Sequence, residues 1–182
     1  MRKVNFDEAQ LLKLPNASMG PDRMAKSDLQ RELQKRDPFE LPEIEAILNL
    51  VRTTDLFLNR FGKLFKEHGL TPSQYNVLRI LRGEAKPLPS LEIARRLLQQ
   101  VPAITGLIDR LEKQGLVERN RCTEDRRVVY VQITNQGKKK LKKIDKPEVE
   151  LHQQLIGHLT GKELCELSRL LVKARSSEVM PH

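Results

Sequence analysis

The fold of this chain is decided by residues 90–134, which read SLEIARRLLQQVPAITGLIDRLEKQGLVERNRCTEDRRVVYVQIT. The pattern predicts a short helix over residues 90–98, a tight turn, and a second helix over residues 102–114. In the second helix, apolar residues recur at i, i+3, i+4 and i+7, so they lie on one face of the helix. These residues are Ile104, Leu107, Ile108 and Leu111. Gly115 is suited to end this helix in the left-handed conformation that glycine adopts readily.

Two strands are predicted after the second helix, separated by a charged loop. Residues 117–121 (VERNR) and 128–133 (VVYVQI) together are rich in β-branched side chains, which favour strands. Residues 123–127 (TEDRR) between them are too polar to bury. A helix-turn-helix followed by such a hairpin is a winged helix, and a second helix with its polar face outward reads the major groove of DNA. We therefore predict a mainly α fold with a small β-hairpin wing, and a winged helix-turn-helix DNA-binding domain over residues 71–134.

Helix-start signals precede this segment. Thr71 can cap a helix that has Pro72 at its first position, and Gln74 completes a capping box. Ser90 is predicted to cap the first helix of the helix-turn-helix. The proline-rich residues 86–89 could add one short edge strand to the hairpin.

Two helical blocks flank the winged helix and carry more apolar surface than one subunit can cover. Residues 43–68 predict a helix of roughly 40 Å, with two apolar stripes. Residues 135–176 predict two further helices, the second opened by a capping box at Thr160. Pro147 should kink or break the first of these, because it removes an internal hydrogen bond and clashes with the preceding turn. We interpret residues 43–69 and 135–176 as a dimerisation region.

Residues 1–40 are predicted to be an N-terminal extension rather than part of the core. Pro15, Gly20 and Pro21 interrupt any long element, although residues 24–36 could form a mostly polar helix. The extension could be a loosely ordered arm, strap across a partner subunit or touch DNA. The sequence leaves these alternatives open.

Composition restricts the class of protein. The 182 residues include 33 Lys and Arg against 24 Asp and Glu, and the resulting net charge of +9 favours a polyanionic partner. Two cysteines far apart in sequence, Cys122 and Cys165, do not form a disulfide framework and indicate a reducing compartment. No secretion signal and no apolar run of about 18 residues is visible, so we expect a cytoplasmic protein that is not in the membrane. With 4% aromatic residues, the chain lacks the stacking surfaces of a single-strand binder.

An enzyme is not expected. The chain has no Ser/His/Asp, Cys/His or paired-carboxylate constellation at a workable spacing, and no glycine-rich phosphate loop. His152 and His158 lack the i, i+4 spacing of a metal-binding pair on one helix. We therefore predict no catalytic residues, no metal and no cofactor.

Five short motifs, in this order and spacing, resemble the MarR family of bacterial transcription regulators. They are LTPSQY at 70–75, LEIA at 91–94, LEKQGLVER at 111–119, DRR at 125–127 and ITNQG at 133–137. The resemblance covers residues 43–176. It implies a homodimeric winged helix that binds a pseudo-palindromic operator, usually as a repressor. It also implies release by a small, often phenolic or aromatic, ligand bound between the DNA-reading and dimerisation regions.

Three features depart from what the resemblance implies. The position after Thr105, commonly Arg or another polar residue in the family, is Gly106, which removes a possible base or phosphate contact. Pro147 interrupts a helix that is usually continuous in the family. Peroxide-sensing members carry a reactive cysteine near the start of the long first helix, and residues 43–68 contain none.

The second helix and the turn before it should present DNA-reading groups. Small residues at the start of the helix would let it enter the groove closely, and the methyl groups of Ala103 and Thr105 could meet thymine. Gln99 and Gln100 in the turn can reach adenine edges or phosphates. Arg110 could contact phosphate or pair with a carboxylate of its own helix, Asp109 or Glu112.

In the wing, Asp125 and Arg127 resemble the family's Asp-x-Arg pair. A carboxylate two residues from a guanidinium can fix its rotamer, so that Arg127 enters a narrow minor groove, where the potential is most negative. Arg126 is expected to contact phosphate. The complete set of predicted DNA-binding residues is Ser90, Gln99, Gln100, Pro102, Ala103, Thr105, Gly106, Arg110, Asp125, Arg126 and Arg127.

The candidate ligand site is assigned to Phe61, Phe65, His68 and Tyr75. His68 ends the long helix near where the family's ligand crevice would lie, and the three aromatic residues could form its walls. Packing within the core is the alternative interpretation of these aromatic residues.

The sequence thus predicts a dimeric regulator that binds double-stranded DNA with sequence specificity and is released by a small ligand. Two-fold symmetry would place its two recognition helices in major grooves roughly 34–36 Å apart. Two alternatives stay open: a winged-helix protein-interaction module, and a non-specific DNA-binding protein without ligand control.

Overall fold

A computed structural model describes residues 26–84, 86–98, 104–121 and 129–176. The chain divides into two compact units, Met1–Thr53 and Thr54–His182. The described elements, in chain order, are α1 (Asp28–Glu32), α2 (Pro42–Glu67), α3 (Pro72–Gly83), β1 (Leu88–Pro89), α4 (Ser90–Arg96), α5 (Ile104–Lys113), β2 (Val117–Arg121), β3 (Val129–Ile133), α6 (Asn135–Ile156) and α7 (Gly161–Arg175). The predicted fold class, mainly α with a small hairpin, is confirmed. The division into functional regions stays a prediction.

In the first unit, the helix allowed by the sequence over residues 24–36 is short. The hydroxyl of Ser27 accepts a hydrogen bond from the backbone N–H of Gln30 at 3.2 Å and caps α1 at its start. The helix then spans five residues, and Gln34 follows it with a φ of 52°. A left-handed residue cannot continue a right-handed helix, so α1 stays short.

The start and end of α2 agree with the prediction to within a residue, but much of its apolar surface is exposed. Ile47 and Val51, one helical turn apart, are 60% and 59% exposed. The last helix, α7, contains no buried residue, and Leu170 on it is 47% exposed. None of the helices in the described part of the chain combines the length and apolar character that a bilayer-spanning segment needs.

The capping boxes predicted from local sequence are confirmed. At the start of α3, the Thr71 hydroxyl accepts from the Gln74 N–H at 3.2 Å, and the Thr71 N–H donates to Gln74 Oε1 at 2.9 Å. Thr160 and Glu163 form the equivalent box at α7. These pairs satisfy N–H groups that have no partner inside the helix. Gly69 ends α2 and Gly115 follows α5, with φ values of 68° and 69°.

The three strands form one antiparallel sheet in the order β1-β3-β2. Leu88 lies opposite Val131, and Val117 lies opposite Ile133. The proline-rich segment therefore does add a short edge strand, where a proline without a backbone N–H does least harm.

The prediction that Ser90 caps the first helix of the helix-turn-helix is wrong. Pro89 occupies the cap position of α4, which has no side-chain capping hydrogen bond, and Ser90 is the first residue inside the helix. The Ser90 hydroxyl instead donates to the carbonyl oxygen of Val129 at 3.3 Å. Because Pro89 belongs to β1, which pairs with β3, the sheet brings an acceptor on β3 within reach of this hydroxyl.

One core holds the helix-turn-helix, the sheet and the first half of α6 together. α3 contacts α4, α5, α6 and β3, so it is the central element of this unit. Burying these apolar side chains is the main stabilising term of the fold. The core residues that are almost completely buried include Leu78, Ile93, Ile108, Leu111, Leu116, Val131, Leu141 and Ile144.

α6 begins in tight contact with the base of the hairpin. The Thr134 hydroxyl accepts from the Gly137 N–H at 3.1 Å and donates to the Gly115 carbonyl at 2.7 Å. A Cβ atom at Gly137 would lie 2.4 Å from the Leu116 carbonyl oxygen and 2.7 Å from Cγ1 of Ile133. Only glycine permits so close an approach.

Of the kink or break predicted at Pro147, the break is wrong, because α6 is continuous from Asn135 to Ile156. The kink stays a prediction. Proline leaves one carbonyl, that of Lys143, without its usual donor. Packing on both sides of the proline offsets this loss, since Ile144 and Leu151 are buried. Two ion pairs to α3, described below, hold the same stretch.

Candidate nucleic-acid interface and ligand crevice

The recognition helix α5 turns its apolar stripe to the core and its polar side to solvent. Leu107, Ile108 and Leu111 are 3%, 1% and 0% exposed, whereas Thr105 and Arg110 are exposed. An exposed polar face on a helix fixed by its opposite side is what docking into a major groove requires. The predicted contacts Gln99, Gln100, Pro102 and Ala103 lie outside the described residues.

A residue that the sequence reasoning missed, Arg119 on β2, holds this helix. Its guanidinium pairs with the carboxylate of Asp109, its Nε lies 3.4 Å from Oε2 of Glu112, and its Nη2 donates to the Thr105 carbonyl at 3.5 Å. The Arg119 side chain is 23% exposed, so these bonds are only partly screened by water. The sequence does show acidic residues on the helix and a basic residue on the following strand, which could have suggested this ion pair. Sequence spacing alone does not show that the two side chains come into contact.

The pairing of Arg119 bears on the role of Arg110. Both carboxylates that the sequence offered to Arg110 pair with Arg119 instead. Arg110 is exposed and has no ion pair within the described residues. Its guanidinium is therefore available to a phosphate.

The wing is described only at its base. Each strand of the hairpin has five residues, and Ser90 bonds to Val129 where β3 begins. The predicted contacts Asp125, Arg126 and Arg127 lie outside the described residues, as does Cys122. Cys165 is free and exposed on α7.

Within the described residues, the four residues assigned to the ligand site are not gathered around either of two cavities: Tyr75 lines one and His68 the other. Phe65 and Tyr75 are 5% and 3% exposed, and their rings stack with centroids 4.0 Å apart. Both rings pack in the core, and Tyr75 also lines the crevice described below. Phe61 lies against the ring of His152, 4.8 Å between centroids, whereas His68 borders a different cavity.

A crevice of about 610 Å³ opens beside Tyr75, and we call it the Tyr75 crevice. α3 supplies one wall, α4 the second and α6 the third. This size is within the range of small-molecule sites. The crevice is lined by Tyr75, Asn76, Arg79, Ile80, Arg96, Leu98, Glu148, Val149 and His152.

The polar groups of the crevice are arranged around Arg79. Its Nη1 donates to Glu148 Oε2 at 2.8 Å and to the Tyr75 hydroxyl oxygen at 3.1 Å. Burial, and then the nearby Glu148 carboxylate, raises the pKa of Tyr75 well above its ordinary value, so the phenol stays protonated. Arg96 is held by Glu92 at 2.7 Å and by Glu84. The crevice thus combines apolar walls with two guanidinium groups.

Two ion pairs connect α3 to α6 beside the crevice. Arg79 pairs with Glu148. Arg82 Nη1 donates a hydrogen bond to Asp145 Oδ2 at 2.9 Å, and its Nη2 lies 2.8 Å from Asp145 Oδ1. The acidic partners are three residues apart on α6, as the arginines are on α3, so the two helices are joined twice on facing sides. Within the described residues, no group of three or more His, Cys, Asp or Glu side chains could hold a metal ion.

Comparison with known proteins identifies the family. The MarR family model matches residues 70–129. The chain is 33% identical to the HTH-type transcriptional regulator YkoM of Bacillus subtilis (strain 168). The aligned 113 residues cover 58% of this chain and 71% of that protein. A crystal structure of a MarR transcription factor from Planctomyces limnophilus is 42% identical, with a TM-score of 0.59, and the match covers 73% of this chain and 97% of that one. The chain belongs to the MarR family. It is also 27% identical to the homoprotocatechuate degradative operon repressor of Escherichia coli. The aligned 122 residues cover 67% of this chain and 82% of that protein.

These relatives are transcription regulators, which supports the interpretation of this MarR-family protein as a DNA-binding regulator and not an enzyme. The exposed face of α5 and the hairpin beside it are the parts of the structure that such a regulator would present to DNA. The individual contact residues stay predictions.

Gly106 is the position on α5 where a substitution is easiest to interpret. A Cβ atom there would meet nothing within 4 Å. We expect Gly106→Ala to raise the free energy of unfolding by about 1 kcal/mol, because alanine has a higher helix propensity than glycine. Urea denaturation followed by circular dichroism measures this change.

Gly62→Ala is the matched control for this substitution, since Gly62 lies inside α2 and also has open space around its Cβ position. Both variants should be stabilised by similar amounts. Destabilisation of Gly106→Ala alone would show that this part of the MarR-family protein is not helical in solution.

Proposed function

We propose that this protein is a homodimeric, sequence-specific repressor that binds double-stranded DNA and is released by a small aromatic acid. The main support for the dimer is the exposure of α7. This helix of 15 residues has no buried residue within the described protomer, and an isolated helix of that length is marginal in water. A second copy of the chain would cover its apolar side.

The apolar residues of α2 extend the same argument. Seven large apolar residues of α2 are exposed, against one that is buried. Monomeric proteins rarely leave so much contiguous apolar surface in water. The exposed residues are Ile44, Ile47, Leu48, Leu50, Val51, Leu56 and Leu58.

DNA binding by such a dimer would use α5 and the wing of each protomer. Thr105 and Arg110 are exposed on the outer face of α5, and the net charge of the chain is +9. Phosphate contacts from basic residues provide affinity, and groove contacts provide sequence preference. Asp125, Arg126 and Arg127 stay the proposed wing contacts, together with Gln99, Gln100, Pro102 and Ala103 in the preceding turn and helix start.

The Tyr75 crevice is the proposed ligand site. A carboxylate could pair with Arg79 or Arg96, while the aromatic ring would rest on Ile80, Val149 and His152. The relative from Escherichia coli is a repressor of a homoprotocatechuate degradative operon, which agrees with an aromatic acid as the signal.

Release would follow from competition for Arg79. A ligand carboxylate that pairs with Arg79 weakens its bond to Glu148, and so weakens one of the two ion pairs between α3 and α6. α3 contacts both α4 and α5, so a change at this junction reaches the DNA-reading helix. A coupling free energy of about 1–3 kcal/mol would change DNA affinity roughly 5- to 150-fold.

The test of DNA binding compares two labelled duplexes, one from the region upstream of the gene and one of the same composition in scrambled order. Fluorescence anisotropy should give a dissociation constant at least about 10³-fold lower for the upstream duplex. Equal affinities would favour the non-specific DNA-binding alternative. No binding to either duplex would favour the protein-interaction module.

The proposed ligand site can be tested by replacing Arg79, which lines the crevice. Arg79→Gln should weaken binding of 4-hydroxyphenylacetate, a small aromatic acid, by at least about tenfold, because it removes a charged partner of the carboxylate. Isothermal titration calorimetry measures the affinity. Because Arg79→Gln also removes the ion pair with Glu148, DNA affinity in the absence of the acid should fall toward that of the ligand-bound protein.

Lys146→Gln provides the control for this charge change. Lys146 lies on α6, its side chain is 87% exposed, and it does not line the crevice. The control should bind the acid as the unaltered protein does. Equal losses in both variants would mean that net charge, and not the Tyr75 crevice, attracts the ligand.

A further inference from the structure

A second cavity, of about 590 Å³, lies where the end of α2 meets the first turns of α6. We call it the lysine cavity. It shares no lining residue with the Tyr75 crevice. One side consists of Glu67, His68 and Gly69, and the other of Gln136, Lys139, Lys140 and Lys143.

The charges of the lysine cavity are unbalanced. It contains three ammonium groups and one carboxylate, that of Glu67. None of the three lysines has an ion pair within the described residues, whereas Lys146, further along α6, pairs with Glu150 at 3.7 Å. The net positive charge of the lining corresponds to an anion that carries at least two charges.

The position of these lysines is unfavourable for the helix that carries them. They lie in the second and third turns of α6, and the first turn contains no acidic residue that could balance their charge. Lys139 and Lys143 are also four residues apart, so their like charges face each other on one side of the helix. A local rule broken in this way is typical of a binding site.

Stabilisation of α2 explains only one of the three lysines. Lys140 is half-buried, and its Nζ lies 3.6 Å from the position of a Cβ atom on Gly69, the residue that follows the end of α2. A cation there favours the negative end of the α2 dipole. Lys139 and Lys143 are exposed and have no such function.

The lysine cavity is at the base of the hairpin and not at the wing. α6 follows β3 directly, and the far ends of the five-residue strands are about 16 Å away at 3.3 Å per residue. A compact anion therefore fits this place better than the DNA that α5 and the wing would hold.

Gln136 connects the cavity to the recognition helix. Its Nε2 donates to the Gln114 carbonyl at 3.3 Å, one residue beyond the end of α5, and its Oε1 lies 3.1 Å from the position of a Cβ atom on Gly115. An anion that bonds to Gln136 would therefore act directly on the turn that ends α5.

We propose that the lysine cavity binds a compact polyanion with at least two phosphoryl groups, such as the diphosphate part of a nucleotide, and that this binding changes DNA affinity. Lysines supply point charges that suit the tetrahedral oxygens of phosphate, whereas planar carboxylates are matched best by arginine, which the cavity lacks. The effect on DNA rests on the proposed function, but the binding itself does not.

The test uses inorganic pyrophosphate as the probe, without DNA, in about 0.15 M salt, which screens exposed charges. Calorimetry on the full chain should show saturable binding of one pyrophosphate per protomer. The double variant Lys139→Gln/Lys143→Gln should bind at least about tenfold more weakly. Inorganic phosphate should bind the unaltered protein more weakly than pyrophosphate does.

Lys138→Gln/Lys142→Gln is the matched control, because both lysines are exposed on the same helix and neither lines the cavity. The control should bind pyrophosphate normally, and all variants should keep the unfolding temperature of the unaltered protein. Equal losses in both double variants would overturn the proposal, as would equal affinity for phosphate and pyrophosphate or no saturable binding. Loss of DNA affinity in Lys139→Gln/Lys143→Gln, without pyrophosphate binding by the unaltered protein, would instead assign these lysines to the DNA backbone.

Discussion

Replacing Ile47 and Val51 together by glutamate is expected to convert the protein to a monomer and to lower operator affinity by at least about 100-fold. The two side chains are 60% and 59% exposed in the protomer and lie one turn apart on α2. In the proposed dimer they become buried. Two unpaired carboxylates in an apolar interface cost several kcal/mol each, so the proposed dimer should dissociate.

DNA affinity should fall because a monomer contacts only one of the two half-sites of the operator. Two linked recognition helices bind with an avidity that exceeds the affinity of either one by a factor of 10² to 10⁴, as an order of magnitude. Light scattering coupled to size-exclusion chromatography reports the mass, and fluorescence anisotropy reports the affinity for the upstream duplex.

Asn49→Glu/Thr53→Glu supplies the matched control. These exposed polar residues have the same spacing on α2, but the helical period places them on a different face. The control should stay dimeric. An Ile47→Glu/Val51→Glu variant that stays dimeric would exclude this face of α2 from the interface, and an unaltered protein that is strictly monomeric would contradict the dimer itself.

Arg119→Ala is expected to lower operator affinity by at least about tenfold, although Arg119 need not contact DNA. The substitution frees the carboxylates of Asp109 and Glu112 on the recognition helix. Both would then repel DNA phosphates from α5, and the helix would lose its bond to β2 at the Thr105 carbonyl. A tenfold change corresponds to about 1.4 kcal/mol.

A rescue experiment separates positioning from direct contact with phosphate. Adding Asp109→Asn and Glu112→Gln to Arg119→Ala removes the freed charges and should restore much of the affinity, a non-additive result of the kind that coupled residues show. A direct phosphate contact would not be rescued in this way. Glu118→Gln, an exposed substitution on the same strand, should leave affinity within about twofold, as is usual for surface changes.

The capped starts of α3 and α7 could be predicted from sequence because capping is local. Thr71 and Gln74, or Thr160 and Glu163, are three residues apart, so their contact is already implied by the helix itself. The apolar stripe of α5 is local in the same sense, and the burial of Leu107, Ile108 and Leu111 followed its period.

The features that the sequence did not predict depend on contacts between residues far apart in the chain, and local sequence patterns do not reveal such contacts. Ser90 bonds to Val129 rather than to its own helix because β1 and β3 are paired. Pro147 stays helical because residues packed on both sides of it hold the helix. The bond between Asp109 and Arg119 joins a helix to a strand across the turn at Gly115. The presence of aromatic residues in the sequence could not show that Phe65 packs in the core, whereas Tyr75 packs in the core and also lines the crevice.

The close approach at Gly137 restricts how this molecule can change shape. With the Leu116 carbonyl and Ile133 side chain so near, the start of α6 has no free space in which to pivot against the hairpin. The sheet, the end of α5 and the first turn of α6 are therefore expected to move together as one rigid body. In the proposed dimer, a change in the distance between two such bodies would require α6 to bend further along, near Asp145 and Glu148, which pair with the arginines of α3.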